Sequence, residues 1–224
     1  ALLCEVSTGT VLFEKDADSR RPPASITKIM TMLLTVEAVE SGKISFNDTV
    51  TASKHACSMG GSQIWLEEGE ATGLSDLLKA VAVGSANDAA VALAEHIAGS
   101  EEAFAVLMNK RAAELGMKDT HFVNASGLDA DGHISTAADV AKMACELLKH
   151  DVIKNYTTIW TDTLRNGKTQ LVNTNKLIRF YEGATGLKTG TTDKAGYCVT
   201  ASAKKNGTEL VEVILDGQTS DLRF

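Results

Sequence analysis

Ser25-Ile26-Thr27-Lys28 sets a hydroxyl and an amine three residues apart. If this stretch opens a helix, both side chains lie on one face a turn apart, and the Lys28 amine reaches the Ser25 hydroxyl. A helix N-terminus also favours negative charge developing at that serine. A lysine in an otherwise apolar helix loses hydration, and burial lowers its pKa toward the range of a general base. The pair is equipped for acyl transfer through a serine nucleophile. The same spacing arises by chance about once in a chain of average composition, so it does not decide the matter alone.

Two further groups carry chemistry. Ser85-Ala86-Asn87 lies between two apolar stretches, and in a turn its hydroxyl and amide can both face a cleft. Helix capping is the competing reading, because Ser and Asn are favoured at caps. Lys188-Thr189-Gly190 reads as strand, with Lys188 and Gly190 on one face and Thr189 on the other. Glycine in a strand often marks close backbone approach to a ligand. A solvated lysine entering a β-turn is the alternative, but this tripeptide is the rarest of the three by chance.

Elements must hold these groups in place. The first helix is predicted to start after Pro22-Pro23, where proline is tolerated, and to run over about 25–41 with Gly42 ending it. Ile26, Ile29, Met30, Met32, Leu33, Leu34, Val36 and Val39 cover nearly every side of it. A helix apolar all round is buried. Further helices are expected over 75–83, 88–98, 100–115 (closed by Gly116) and 136–149. Strands are expected over 1–6 and 10–14, and over 196–204 and 208–215 around the hairpin dipeptide Asn206-Gly207. Strands at both ends with helices between them predict an α+β fold. The N- and C-terminal strands join in one antiparallel sheet flanked by helices, beside a helical lobe. The chain reads as one catalytic domain, 1–224, with a sheet lobe at about 1–24 and 155–224 and a mainly helical lobe at about 25–154. The site is expected in the cleft between them.

Composition narrows the function classes. The 224 residues are 44% hydrophobic and 23% charged, with a formal net charge of −7. No basic stripe is available to neutralise phosphates, which argues against a nucleic-acid binder; Lys204-Lys205 is too short to change that. No apolar run is long enough to span a bilayer, since Glu37 closes the run over 29–36. Cys4, Cys57, Cys145 and Cys198 are scattered without a CxxC pair, so neither metal-site spacing nor a disulfide framework is indicated. They are expected as buried or half-buried thiols acting as small apolar side chains. No initiator Met or signal-like segment is visible, and the chain is expected to be a processed or trimmed product.

The three groups stand in the order of the SxxK, SxN and KTG elements of penicillin-binding proteins and class A β-lactamases. Around them, Ser85-Ala-Asn-Asp-Ala-Ala90, His121-Phe-Val-Asn-Ala-Ser-Gly-Leu128, His133-Ile-Ser-Thr-Ala137 and Lys188-Thr-Gly-Thr-Thr-Asp-Lys-Ala-Gly-Tyr197 widen the match. Over essentially its whole length the chain resembles the low-molecular-mass penicillin-binding proteins of the D-alanyl-D-alanine carboxypeptidase family. The resemblance implies a β-lactamase/transpeptidase-like fold. It makes Ser25 the nucleophile, Lys28 its base and Ser85 a proton relay. Asn87, Lys188, Thr189, Gly190, Thr191 and Arg223 would bind substrate, and the backbone N–H groups of Ser25 and Thr191 would form the oxyanion hole. For Arg223 an exposed surface arginine is the alternative. The implied substrate is a peptidoglycan stem peptide ending in D-Ala-D-Ala, with β-lactams as covalent inhibitors and no cofactor or metal. The implied location is extracytoplasmic, and any membrane association would come through a segment outside this sequence. Family members usually continue into a final helix on the sheet, so the chain is expected to be cut within the catalytic domain.

Other residues take plainer readings. His121 and His133, in the loop over 119–135, are expected to bond loop backbone rather than to act in catalysis. Trp65 is expected to pack rather than to bind substrate. A class A β-lactamase would carry a deacylating glutamate in an ExxxN segment, and neither Glu114 nor Glu146 has an asparagine four residues on. A D,D-endopeptidase is closer in chemistry. A non-catalytic wall-binding module would be expected to lose Ser25, Lys28 or Lys188, and all three are present.

Overall fold

In the computed structural model, which describes residues 1–224 apart from the side chain of Leu222, the two ends of the chain pair with each other. Strands β1 (Leu2–Glu5) and β2 (Val11–Glu14) come first, then a 3-10 turn at Ala24–Thr27 that feeds helix α1 (Lys28–Glu40). The short strands β3 (Thr49–Thr51) and β4 (Ala71–Gly73) enclose helix α2 (Lys54–Cys57). Helices α3 (Leu74–Gly84), α4 (Asn87–Ala98), α5 (Glu101–Glu114) and α6 (Ala137–Leu148) follow. Helix α7 (Lys154–Thr157), the hairpin of β5 (Thr161–Leu164) and β6 (Thr169–Val172), and helix α8 (Leu177–Phe180) lead back toward the sheet. Strands β7 (Ala184–Thr192), β8 (Gly196–Lys205) and β9 (Thr208–Gly217) complete it, and a 3-10 turn at Asp221–Arg223 follows.

The five-stranded sheet runs β2-β1-β9-β8-β7, with every neighbouring pair antiparallel. Asn206 and Gly207 both take positive φ, 52° and 84°, the conformation that a two-residue hairpin needs to match strand twist. This is the α+β architecture expected from strands at both ends of the chain. Strand β7, which carries Lys188-Thr189-Gly190, is an edge strand.

Helix α1 is the axis of the core. It packs against α3, α4, α5, α6 and β7, and Ile29, Met30, Met32, Leu33 and Val36 are fully buried. Each such side chain contributes about 1.5–3 kcal/mol of transfer free energy. Its buried hydroxyls are satisfied: Thr31 Oγ1 donates to the Ala125 carbonyl and Thr35 Oγ1 to the Thr31 carbonyl. Helix α6 lies across β1, β8 and β9 as well as α1, so it covers the sheet although it falls within 25–154. The β5–β6 hairpin packs on α3 and forms its own small sheet.

Most helix boundaries differ from the sequence expectation by a residue or two, and at the starts of α5 and α6 the reason is a cap. Ser100 and Thr136 are caps rather than helical residues, their hydroxyls accepting from the N–H groups of Ala103 and Asp139. The first helix differs more. Residues 24–27 form a 3-10 turn and regular α-helix begins only at Lys28. Ala24 sits at φ 49°, and the neighbouring loop comes so close that a Cβ at Gly127 would overlap its carbonyl.

Candidate active site

Ser25 sits in the 3-10 turn and Lys28 at the start of α1, and the tighter turn still brings them together: Lys28 Nζ donates to Ser25 Oγ at 3.0 Å. Lys28 is completely buried. Its other two donors go to Asn87 Oδ1 and the Ser126 carbonyl, each at 2.6 Å. All three acceptors are neutral. Burial, reinforced by the nearby Lys188, holds the Lys28 pKa well below the ordinary lysine value, and Asp88 offsets this only in part. In the neutral amine, two N–H bonds can stay on Asn87 and Ser126 while the lone pair accepts from the Ser25 hydroxyl. Such an arrangement allows Lys28 to act as a base toward the Ser25 hydroxyl.

Helix α3 ends at Ser85, which takes φ 60°, and α4 starts at Asn87. Capping does not explain either side chain. Ser85 makes its end through backbone, and the residue capping α4 is Ala86, which offers no side-chain bond. The Asn87 amide instead bridges the site, accepting from Lys28 and donating to the Gly60 carbonyl at 2.7 Å. Ser85 is 5% exposed, and among the described residues its hydroxyl bonds to neither lysine.

Strand β7 forms the opposite wall. A Cβ on Gly190 would come within 2.8 Å of the Ser25 backbone nitrogen and 3.2 Å of that of Ile26. Only glycine lets this strand lie against the turn of the serine. Lys188 is fully buried and donates to the Thr189 carbonyl at 2.8 Å; burial, with Arg223 nearby, lowers its pKa to about 7. Thr189 Oγ1 donates to Thr174 Oγ1 at 2.7 Å, and Thr191 Oγ1 to the Gly190 carbonyl at 2.7 Å. Arg223 Nη1 reaches Thr191 Oγ1 at 3.0 Å and the Gly190 carbonyl at 3.2 Å, while its buried Nε has no partner. Arg223 is thus attached to the strand of the site rather than standing free in solvent.

The loop over 119–135 ties these walls together. His133 Nδ1 accepts from the Val123 N–H, which leaves Nε2 protonated to donate to Thr27 Oγ1 at 2.8 Å. Burial, with His121 nearby, pushes the His133 pKa down to about 4, so the ring is neutral near pH 7. It anchors the loop to the turn carrying Ser25. His121 pairs with Ile134 through backbone alone. At the other side Thr192 Oγ1 donates to Asp129.

Residue types could not reveal some of the parts. Ser126 contributes its carbonyl, and Asn124 Oδ1 shapes that turn by accepting from the N–H groups of Ser126 and Gly127. The segment over 121–128 stood out in the sequence without a role for either residue. The buried Asp88 carboxylate holds the loop before α3 by accepting from the N–H groups of Ile64 and Leu66. Trp65, between them, corrects the packing expectation. It is 73% exposed, while Ile64 and Leu66 take the buried positions.

A family model described as D-alanyl-D-alanine carboxypeptidase matches residues 1–219. The chain belongs to that family. It is 52% identical over 222 residues to the D-alanyl-D-alanine carboxypeptidase DacF of Bacillus subtilis, covering 98% of this chain and 57% of that protein. The carboxypeptidase-family chain therefore spans little more than half the length of that relative. Penicillin binding protein 6B from Escherichia coli superposes with TM-score 0.93 at 33% identity, over 99% of this chain and 72% of the other. Penicillin-binding protein D2 from Listeria monocytogenes, solved in an ampicillin-bound form, gives TM-score 0.90 at 34% identity over 100% and 91%. Among the described residues of this family member, no cluster of His, Cys, Asp and Glu could hold a metal ion, and no helix is long and apolar enough to cross a membrane.

Proposed function

We propose that this chain is the catalytic domain of a serine D-Ala-D-Ala carboxypeptidase that removes the terminal D-Ala of peptidoglycan stem pentapeptides. The observation that carries the reading is Lys28, fully buried, bonded to Ser25 and given no carboxylate partner. A lysine so placed favours its neutral form and can take the proton from the attacking hydroxyl.

In this reading the stem peptide lies along the edge strand β7, which offers backbone groups for strand addition. Ser25 Oγ attacks the carbonyl of the penultimate D-Ala and its proton passes to Lys28. The N–H groups of Ser25 and Thr191 receive the oxyanion, each such donor being worth ~2.7–4 kcal/mol in the transition state. Asn87 holds the substrate amide. Ser85 and Lys188 return a proton to the leaving amine, the Ser85 hydroxyl turning toward them once substrate is bound. The departing carboxylate meets Lys188, Thr189, Thr191 and Arg223. Water then releases the acyl group, with Lys28 again the base at hand. A β-lactam mimics the D-Ala-D-Ala end and acylates Ser25 without a leaving group that can depart. Such a substrate places the enzyme outside the cytoplasmic membrane, against the wall.

The test measures D-Ala release from a stem pentapeptide beside a penicillin acylation time course read by intact mass. Expected are D-Ala release and a persistent adduct on Ser25. Rapid penicillin turnover, or no adduct, overturns the reading. Cleavage of cross-linked muropeptides with no release from pentapeptide would make it an endopeptidase.

A further inference from the structure

Two thiols between the sheet and helix α6 meet although 141 residues separate them. Strand β1 turns Leu2 and Cys4 into the core, where α6 packs across it. Cys145, half-buried on α6, brings its sulfur to 3.7 Å from that of Cys4. The hydrogen bond they share holds the Cys4 thiol below its ordinary value and pushes that of Cys145 up. Among the described residues the other two cysteines have no such neighbour: Cys198 is buried and donates to the Ala195 carbonyl, and Cys57 lies half-buried on α2.

Disulfide formation requires two sulfurs brought to ~2.05 Å from elements already close enough to be bridged. At 3.7 Å the sulfurs stand within ~2 Å of bonding distance, on two elements already packed together. We propose that Cys4 and Cys145 form an oxidative modification site, a disulfide that staples α6 to the first strand. The oxidant is itself a disulfide, from a small molecule or a thiol oxidoreductase. One cysteine thiolate attacks it, forming a mixed disulfide and expelling one thiol. The second cysteine then attacks the mixed disulfide and expels the other thiol. The two cysteines give up two electrons and two protons, and the oxidant leaves as two thiols.

The position gives the bond a structural effect. Helix α6 follows directly on the loop that His133 ties to the turn of Ser25, so its anchorage bears on the frame around the site. A cross-link across so long a loop restricts the unfolded chain strongly. The proposal does not rest on the proposed reaction, since it concerns thiols outside the site.

Incubating the whole chain with oxidised glutathione, followed by non-reducing peptide mapping, tests it. A single species lighter by two hydrogens is expected, with the Cys4 and Cys145 peptides linked. Thermal unfolding should shift up by roughly 5–15 °C and return on adding reductant. Cys4→Ser and Cys145→Ser should each lose the shift, and Cys57→Ser should keep it. Separate glutathione adducts on the two cysteines, free thiols at both, or a linked species that melts no higher than the reduced one would overturn the proposal. The mapping uses the unaltered chain, so it stands even if a variant folds poorly.

Discussion

Lys28 and Lys188 are the same residue type, both completely buried, one on each wall of the site. Their surroundings differ. Lys28 spends three donors on Ser25, Asn87 and the Ser126 carbonyl, in a pocket closed by two helices and a loop. Among the described residues Lys188 has a single acceptor, the carbonyl of its own neighbour Thr189, on an edge strand. Burial lowers both below the ordinary lysine value, helped at Lys28 by Lys188 and at Lys188, which comes to about 7, by Arg223. Two buried lysines held in such different surroundings can divide the labour of acid and base. Lys28 suits proton removal, and Lys188 can still carry a proton and a charge near neutrality.

Lys28→Gln is the most severe way to break that division. General-base removal typically costs ~10²–10⁴-fold in rate. Penicillin acylation of the variant should fall by at least that range, while circular dichroism and thermal melting show a folded chain. Glutamine keeps a donor for Asn87 or Ser126, so the loss would report the base and not a collapsed pocket. A variant that acylates within tenfold of the parent would remove Lys28 as the base.

The second test works through pH. Lys28 as base contributes when neutral, so its contribution is lost as pH falls through its lowered pKa. Lys188 contributes when protonated, so its share is present below about 7 and lost above it. Acylation by a carboxylate-bearing substrate should therefore decline on the alkaline side, beginning near 7. Lys188→Gln should lower the neutral-pH rate by ~10–150-fold, the usual weight of a hydrogen bond to a charged group, and should flatten the alkaline limb. Stability carries the same signature with its own sign. Between about 7 and the ordinary 10.5, the unfolded chain holds a proton that folded Lys188 has released, so this residue makes stability rise with pH there. Urea midpoints measured across that window should rise less in the variant. An unchanged alkaline limb and an unchanged slope would sink the assignment.

The contrast between the walls also marks what was legible in the sequence. Ser25-xx-Lys28, Ser85-x-Asn87 and Lys188-Thr-Gly190 are local spacings written in side-chain types, and the sheet was readable from its strands and from Asn206-Gly207. What stayed hidden depends on backbone atoms or on distant pairing. The acceptor that completes the Lys28 pocket is a carbonyl, which any residue at 126 would supply. The glycine requirement at 190 becomes physical only when the turn of Ser25 lies against it. Strands β3 and β4, three residues each, are too short for a periodic signal. The outward turn of Trp65 needs Asp88 to fix its neighbours first. Cys4 and Cys145 meet only through the packing of α6 on β1.

Arg223 gives the finest probe of the comparison, because it acts on one wall. Its positive charge lowers the Lys188 pKa and is not among the influences on Lys28. Its Nη1 bonds to Thr191 and Gly190 fix it beside the end of β7, and among the described residues its buried Nε has no acceptor. Arg223→Ala should weaken capture of the substrate carboxylate by about tenfold in kcat/KM, at the low end for a charged hydrogen bond because the group is half-exposed. It should also move the alkaline limb toward higher pH, since Lys188 then loses a like charge while its burial remains. The acidic limb, set by Lys28, should stay in place. A substrate lacking the terminal carboxylate would lose the binding effect but keep the shifted limb. If both limbs move together, the two lysines titrate as one coupled unit, and the separation of base from proton carrier fails.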